Sequence, residues 1–274
     1  MTRHTKISAV VITFNEEMKI ERCLQGIDWI DEIVVADSNS TDRTVEICQR
    51  YTDKIYQVPW PGSTAKKRQI SDQYTSYDWI LALDADEVVT KELRDEIVTS
   101  FEKVPEEAAF GIPRLEYLSG RFITAGGWYP QYKYILYRKS MGLWEGGPVH
   151  LKFATTGKIG FFKGPILHDG SPNFKIFMDK FNQSSSVEAI HDAVECGRGF
   201  SLWRAIFKPL ERFFSRFVLR RGYQDGIHGF FMAAVIGLNY FLREMKIYEF
   251  HYLKKHHGKW DEVYKSITVH KNGD

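Results

Sequence analysis

Four short apolar runs organise the first hundred residues: Ile7–Thr13, Ile33–Asp37, Lys54–Val58 and Trp79–Leu83. Three of them are almost unbroken stretches of Val, Ile, Leu and Ala, the pattern of strands covered on both faces. Between and after them, Met18–Ile27, Thr44–Tyr51, Ala65–Tyr74 and Lys91–Phe101 carry apolar positions at helical spacing. Ser40, Thr41 and Asp42 offer capping side chains ahead of the second helix. Strand–helix alternation of this kind predicts right-handed crossovers and a mostly parallel α/β sheet flanked by helices.

From Phe110 to Ile166 the pattern changes. Gly and aromatic residues crowd together at Gly126-Gly127-Trp128-Tyr129-Pro130 and at Gly142 to Pro148, separated by strand-like runs such as Tyr134–Tyr137. Irregular loops on a rigid sheet are where binding usually resides. From Asn173 onward the chain reads as helical. The expected organisation is therefore a catalytic domain over 1–172, with halves 1–105 and 106–172, and a helical region over 173–274.

Within that region Trp203, Ile206, Phe207, Leu210, Phe213, Phe214 and Phe217 recur at steps of three and four, while Arg204, Lys208, Arg212, Arg216 and Arg220 recur every four. Pro209 is expected to break this amphipathic stretch into two short helices. Further on, Asp225 and Arg243 bracket 17 uncharged residues. That length is at the lower limit for crossing a bilayer, so a buried or interfacial helix is expected over 226–242.

Composition adds constraints. At 274 residues with 43% hydrophobic and 26% charged residues, the chain is an ordinary globular protein, neither disordered nor fibrous. Three cysteines, without paired spacing, exclude a disulfide scaffold and suggest reduced thiols in the cytoplasm. The polar start, Met1–Lys6, shows no secretory signal. Net charge is only +2, yet Arg198–Arg221 alone carries +6. Such a block calls for an anionic partner, and beside Trp and Phe it suits a membrane interface; no nucleic-acid module accompanies it.

In an open parallel sheet, ligands bind outside the carboxyl ends of the strands. Here those ends deliver Thr13-Phe14-Asn15-Glu16, Asp37-Ser38-Asn39-Ser40 and Asp84-Ala85-Asp86-Glu87. Acids gathered at one rim repel each other unless a cation lies among them. No glycine-rich dinucleotide or phosphate loop follows the first strand. An Asp-x-Asp pair offers another grip, its oxygens holding a hard divalent cation that in turn holds a diphosphate.

Ile12-Thr13-Phe14-Asn15-Glu16-Glu17, Val35-Ala36-Asp37-Ser38-Asn39-Ser40-Thr41-Asp42 and Trp79-Ile80-Leu81-Ala82-Leu83-Asp84-Ala85-Asp86-Glu87 together resemble the signatures of family-two glycosyltransferases with the GT-A fold. Gly127-Trp128-Tyr129-Pro130, Pro148-Val149-His150 and Leu167-His168 extend the likeness to about residue 170. It is nearest to the bacterial branch that builds lipopolysaccharide core and related envelope glycans. The resemblance implies an inverting hexosyltransferase using a nucleotide-sugar, usually a UDP-sugar, with Mn²⁺ or Mg²⁺. It implies that Thr13 and Glu16 line the nucleoside pocket, with Asn15 either joining them or, like Asp42, bracing a turn, and that Asp37 meets the base and Asp84 the ribose. Lys67 or Arg68 faces the nucleotide, and Asp86 and His168 bind the metal. The solvated first turn of a helix is the plainer reading of Lys66–Arg68.

One departure affects the chemistry. Related sequences often carry Glu directly after the Val-His pair, where this chain has Leu151. The general base then falls to Glu145, whose flanking Trp and Gly suit a sugar-binding loop, or to Asp169. Trp128, Tyr129, Tyr132 and Trp144 are candidates for stacking on sugar rings, with core packing expected to claim half of them. The expected acceptor is an envelope glycan or glycolipid, met by an enzyme peripheral on the inner face of the cell membrane. The alternatives are a sugar nucleotidyltransferase or a glycan- or membrane-binding relic of the fold.

Overall fold

The computed structural model describes residues 5–146, 151–171 and 173–256. In chain order the elements are β1 (Ile7–Thr13), α1 (Ile20–Gln25), β2 (Glu32–Asp37), α2 (Thr44–Cys48), β3 (Ile55–Gln57), α3 (Thr64–Asp72), β4 (Trp79–Asp84), β5 (Glu87–Val89) and α4 (Lys91–Ser100). Then follow β6 (Ala109–Leu118), β7 (Arg121–Ile123), β8 (Gln131–Arg138), β9 (Gly142–Glu145), β10 (Lys152–Thr155), β11 (Ile159–Phe161) and β12 (Ile166–Ser171). Three long helices follow: α5 (Phe174–Val194), α6 (Leu202–Phe214) and α7 (Gly226–His256). The chain forms two compact units, Met1–Glu116 with Pro130–Gly170, and Tyr117–Tyr129 with Ser171–Asp274.

The first unit is the α/β part. Its main sheet runs β3-β2-β1-β4-β8-β6-β12-β5. The four strands that the apolar runs foretell are mutually parallel, and β8 and β6 then add antiparallel. Both faces of β1 and β4 are covered, so Val10, Val11, Ile80 and Leu81 are fully buried. Cutting Ile80 to Ala would cost about 2–5 kcal/mol, because a cavity would replace a packed side chain.

Register places the chemistry. Thr13 lies opposite Asp37, and Ile12 opposite Asp84, so β1, β2 and β4 end along one rim. After a two-residue turn, β5 pairs antiparallel with β12, setting His168 across from Glu87. Asn15 and Asn39 adopt left-handed backbone at φ 50° and 63° where the rim loops turn, a conformation that Asn tolerates better than most residues.

The second unit is built from α5, α6 and α7 with the β6–β7 hairpin end. Asn173 and Ser201 cap α5 and α6. The expected break at Pro209 is absent: α6 runs through it from Leu202 to Phe214, and a π-helical turn follows over Ser215–Leu219. The cost of an interior proline is about 3 kcal/mol. Packing on α7 offsets it, and α7 approaches Pro209 closely at Gly237, where a Cβ would lie 2.8 Å from the Pro209 carbonyl oxygen.

The basic block also behaves differently from expectation. Arg198 pairs with Asp192 and Glu244, and Arg204 reaches Glu244 at 2.9 Å. Arg216 donates to the carbonyls of Gly126 and Gly127, Arg212 lies over the Tyr240 ring, and Lys208 pairs with Glu211. Much of the charge that seemed to await a partner is spent inside the unit. By length and composition α7 is apolar enough to cross a membrane. One side of it, with Met232, Ala233, Val235 and Ile247, is buried in the unit, while Ile227, Phe230, Leu238 and Phe241 face outward.

Candidate active site

The rim begins with the loops after β1 and β2, which are tied to each other. Asn15 accepts from the Thr41 amide at 2.8 Å and donates its own amide to Ser40 Oγ. The Glu16 amide donates to Thr44 Oγ1, and Glu16 contacts Lys19 at 3.6 Å. Asp37 is fully buried and accepts from the Ser40 amide and hydroxyl at 2.8 and 2.5 Å. Thr13 is buried, and its hydroxyl makes no hydrogen bond among the described residues. Asn15 and Asp37 thus shape their loops with the same atoms that the sequence suggests for nucleotide contact.

The plain reading of Lys66–Arg68 as a solvated turn holds only for Lys66. Lys67 and Arg68 are buried on the inner side of α3. Lys67 donates to the Thr13 carbonyl at 3.1 Å and to Ser38 Oγ at 2.5 Å, bridging the ends of β1 and β2. Burial pushes its ammonium down to about 8, against the pull of Asp37 and Asp84. Arg68 pairs with Asp84 at 2.8 Å and lies 5.0 Å from the centre of the Trp144 ring. Its Nε and Nη1 are buried and have no hydrogen-bond partner among the described residues. A helix whose inner face carries two cations is spending its packing surface on charge.

Beyond Asp84 the acids converge. Glu87 accepts from the Asp84 amide at 3.0 Å and faces Arg114 at 3.6 Å. Burial, with Asp84 beside it, raises its carboxyl to about 7. Asp86 stands 3.5 Å from His168 Nε2, and the opposite ring nitrogen, Nδ1, is 2.5 Å from Glu116. Arg114 holds Glu116 at 2.7 Å. Burial opposes a charge on His168, but hydrogen bonds to Asp86 and Glu116 outweigh it and lift the imidazole to about 10. Gly170 lets the ring lie where it does, since a Cβ there would fall 2.4 Å from His168 Cε1.

Glu116 and Arg114 carry no signal in the sequence, being ordinary polar residues in a strand 52 positions from the histidine. The local arrangement, a carboxylate holding one imidazole nitrogen while the other faces Asp86, is of the kind that orients metal-binding histidines.

Asp86 and His168 supply oxygen and nitrogen donors on one side of the rim. That set suits a divalent cation such as Mn²⁺ or Mg²⁺ which takes its remaining ligands from phosphate and water. Among the described residues no three His, Cys, Asp or Glu side chains close a metal cage. The fit is to a cation shared with a ligand, and its binding would release the His168 proton.

The two expected bases are placed differently. The Asp169 amide donates to the Asp86 carbonyl at 2.9 Å, and the Asp169 carboxylate is 3.7 Å from Arg22 and 30% exposed. Glu145 ends β9 and pairs across the hairpin with Lys152 at 3.4 Å. Its neighbour Trp144 is only 4% exposed and packs on Tyr137 and Phe153 as core. Trp128 packs edge-on against Phe177, and Tyr132 is exposed, edge-on to Phe161. Pro148–His150 lie outside the described residues.

Comparison with known proteins adds independent observations. Over 256 residues the chain is 29% identical to the lipopolysaccharide core biosynthesis glycosyltransferase LpsC of Rhizobium meliloti, covering 90% of this chain and 94% of that protein. It is 30% identical over 263 residues to an uncharacterized glycosyltransferase of Rickettsia typhi, covering 89% and 87%. Among solved structures, S. aureus TarS 1–349 in complex with UDP is similar at 17% identity with a TM-score of 0.47, covering 88% of this chain and 90% of that one. Residues 8–178, which include the whole acidic rim, match the family described as glycosyl transferase family 2. The chain belongs to that family.

Proposed function

We propose that this glycosyltransferase transfers a hexose from a UDP-sugar to a hydroxyl of a bacterial envelope glycan of the lipopolysaccharide core type, with inversion and with a divalent cation. The observation that carries the reading is the rim where Asp86 and Glu116 flank His168, Glu87 is buried beside the Asp84 amide, and buried Arg68 pairs with Asp84 next to buried Lys67. A fold selected for stability alone gains nothing from this concentration of buried charge. Family membership and the LpsC likeness support the substrate class.

In this reading Thr13 and the interlocked Asn15–Glu16 and Asp37–Ser40 loops form the nucleoside pocket, and Asp84 meets the ribose. Asp86 and His168 hold the cation, with Glu116 fixing the imidazole. When bound, the cation neutralises the diphosphate of the departing UDP. Lys67 and Arg68 add positive charge along the same wall. We take Asp169 as the general base because it follows His168 directly and its amide donates to the Asp86 carbonyl, whereas Glu145 lies on the β9 hairpin; each carboxylate also faces a cation, Arg22 at 3.7 Å and Lys152 at 3.4 Å. The Asp169 carboxylate accepts the proton of the acceptor hydroxyl as that oxygen attacks the anomeric carbon from the face opposite UDP. We place the enzyme at the inner face of the cell membrane, where a glycolipid acceptor is met.

Calorimetry with UDP and Mn²⁺, followed by a screen of UDP-sugars for slow hydrolysis, tests this. Asp86→Ala is expected to reduce both metal-dependent UDP binding and hydrolysis below detection. Tight UDP binding in wild type with no hydrolysis or transfer would favour a binding relic. UDP binding unaltered by metal and by Asp86→Ala would overturn the site.

A further inference from the structure

The amphipathic segment of the second unit is mounted with its apolar side outward. On α6, Ala205 is buried and Arg204, Lys208 and Arg212 are half-buried. In contrast, Trp203, Leu210 and Phe214 are 69%, 63% and 54% exposed, with Ile206 and Phe207 exposed between them. The helix thus presents a continuous apolar side, with the Trp203 and Phe207 rings stacked 3.8 Å apart. A soluble helix normally does the reverse, and a patch of this size marks a surface that meets something apolar.

We infer that this side of α6 is a membrane-insertion surface, held in the interface of an anionic bilayer chiefly by apolar contact. One observation favours lipid over a second copy of the chain. The exposed charge beside the stripe is basic: Arg220 and Arg221 are exposed, and Glu211, the one acid between Leu202 and Arg221, is paired with Lys208. That rim complements phospholipid headgroups, while a self-complementary dimer would bring these arginines near their copies. Moreover, Arg198, Arg204 and Arg216 are held by Asp192, Glu244 and the Gly126–Gly127 carbonyls, so they contribute little to surface attraction. Binding should then resist salt, unlike that of a polybasic patch. The inference deepens the membrane location proposed above and is independent of the rim chemistry.

The test is flotation of the full chain with phosphatidylcholine vesicles and with vesicles containing 30% phosphatidylglycerol. Wild type is expected to float with the anionic vesicles and to stay bound at 0.5 M NaCl. The triple variant Trp203→Ser, Leu210→Ser, Phe214→Ser is expected to lose at least ten-fold in partitioning, and Arg220→Gln with Arg221→Gln only a few-fold. Circular dichroism and solution binding of UDP with Mn²⁺ check that the serine variant is folded. They also separate failure here from failure of the active-site reading. The inference is overturned if wild type stays in the aqueous fraction, if salt releases it fully while the serine variant still floats, or if the face instead forms a dimer that the same serines dissolve.

Discussion

Two buried glutamates at opposite ends of one sheet have their charge met in different ways. Glu32 starts β2 at the amino end, and Glu87 follows β4 at the carboxyl end. Both are buried. Glu32 accepts from Ser8, from Lys54 and from the amide and hydroxyl of Ser76, the last two at 2.8 and 2.6 Å. Burial would raise its carboxyl, but these bonds prevail and hold it down at about 2. Glu87 has one amide and a more distant arginine, and burial beside Asp84 drives it up to about 7. At this end of the sheet Thr13 Oγ1, Arg68 Nε and Nη1 and Asp169 Oδ1 are buried with no hydrogen-bond partner among the described residues. One end of the sheet is closed electrostatically by its own side chains; the other keeps charge and hydrogen-bonding capacity in reserve, as sites that await a ligand do.

If that contrast is functional, breaking the rim should cost activity and spare the fold, and breaking the amino end should do the opposite. Among changes that leave UDP binding intact, the largest effect is expected from Asp169→Asn, which removes the acceptor of the hydroxyl proton and should lower transfer by about 10²–10⁴-fold. Transfer at the wild-type rate would remove Asp169 from the mechanism. Next is Glu116→Gln, which keeps the shape but frees the imidazole. The affinity for Mn²⁺ in the presence of UDP should fall about 10–100-fold, while metal-free UDP binding stays unchanged. Titration calorimetry reads both, and a nitrogen-15 titration should show the His168 imidazolium losing its proton at a lower pH than in wild type.

At the amino end, Glu32→Gln should destabilise the protein by about 1–3 kcal/mol at neutral pH without altering UDP binding. The sign follows from the depressed carboxyl: its stabilisation is complete above the unfolded value near 4.5 and disappears as pH falls toward about 2. Urea melts of wild type and variant should therefore converge in acid and diverge above pH 5. A gap that widens in acid would contradict the account.

The same contrast marks what could be read from sequence. Strands β1, β2 and β4 were legible because burial on both faces demands unbroken Val, Ile and Leu. Asp84 and Asp86 were legible because they end such a run. Glu116 was not, since its meaning depends on a strand order that sets β6 beside β12 and on the 2.5 Å contact with His168 that results. The period of α6 was readable, but a stripe does not say whether it faces protein or surroundings. Pro209 argued for a break that tertiary packing along α7 overrode. Local rules identified the elements, and non-local contacts decided their use.

The smallest effect is expected where local reasoning was most tempting. Glu145 stands beside a tryptophan and two glycines, the neighbourhood of a sugar-binding loop. In β9, however, alternation sends Trp144 into the core against Tyr137 and Phe153 and leaves Glu145 46% exposed, opposite Lys152. An exposed pair of this kind is worth about 0–1 kcal/mol. Glu145→Gln should therefore change transfer and melting temperature little, with a rate within about two-fold of wild type, as expected of a surface substitution. A hundred-fold loss of transfer with UDP binding intact would move the base from Asp169 to the hairpin and would mean that the acceptor approaches over β9.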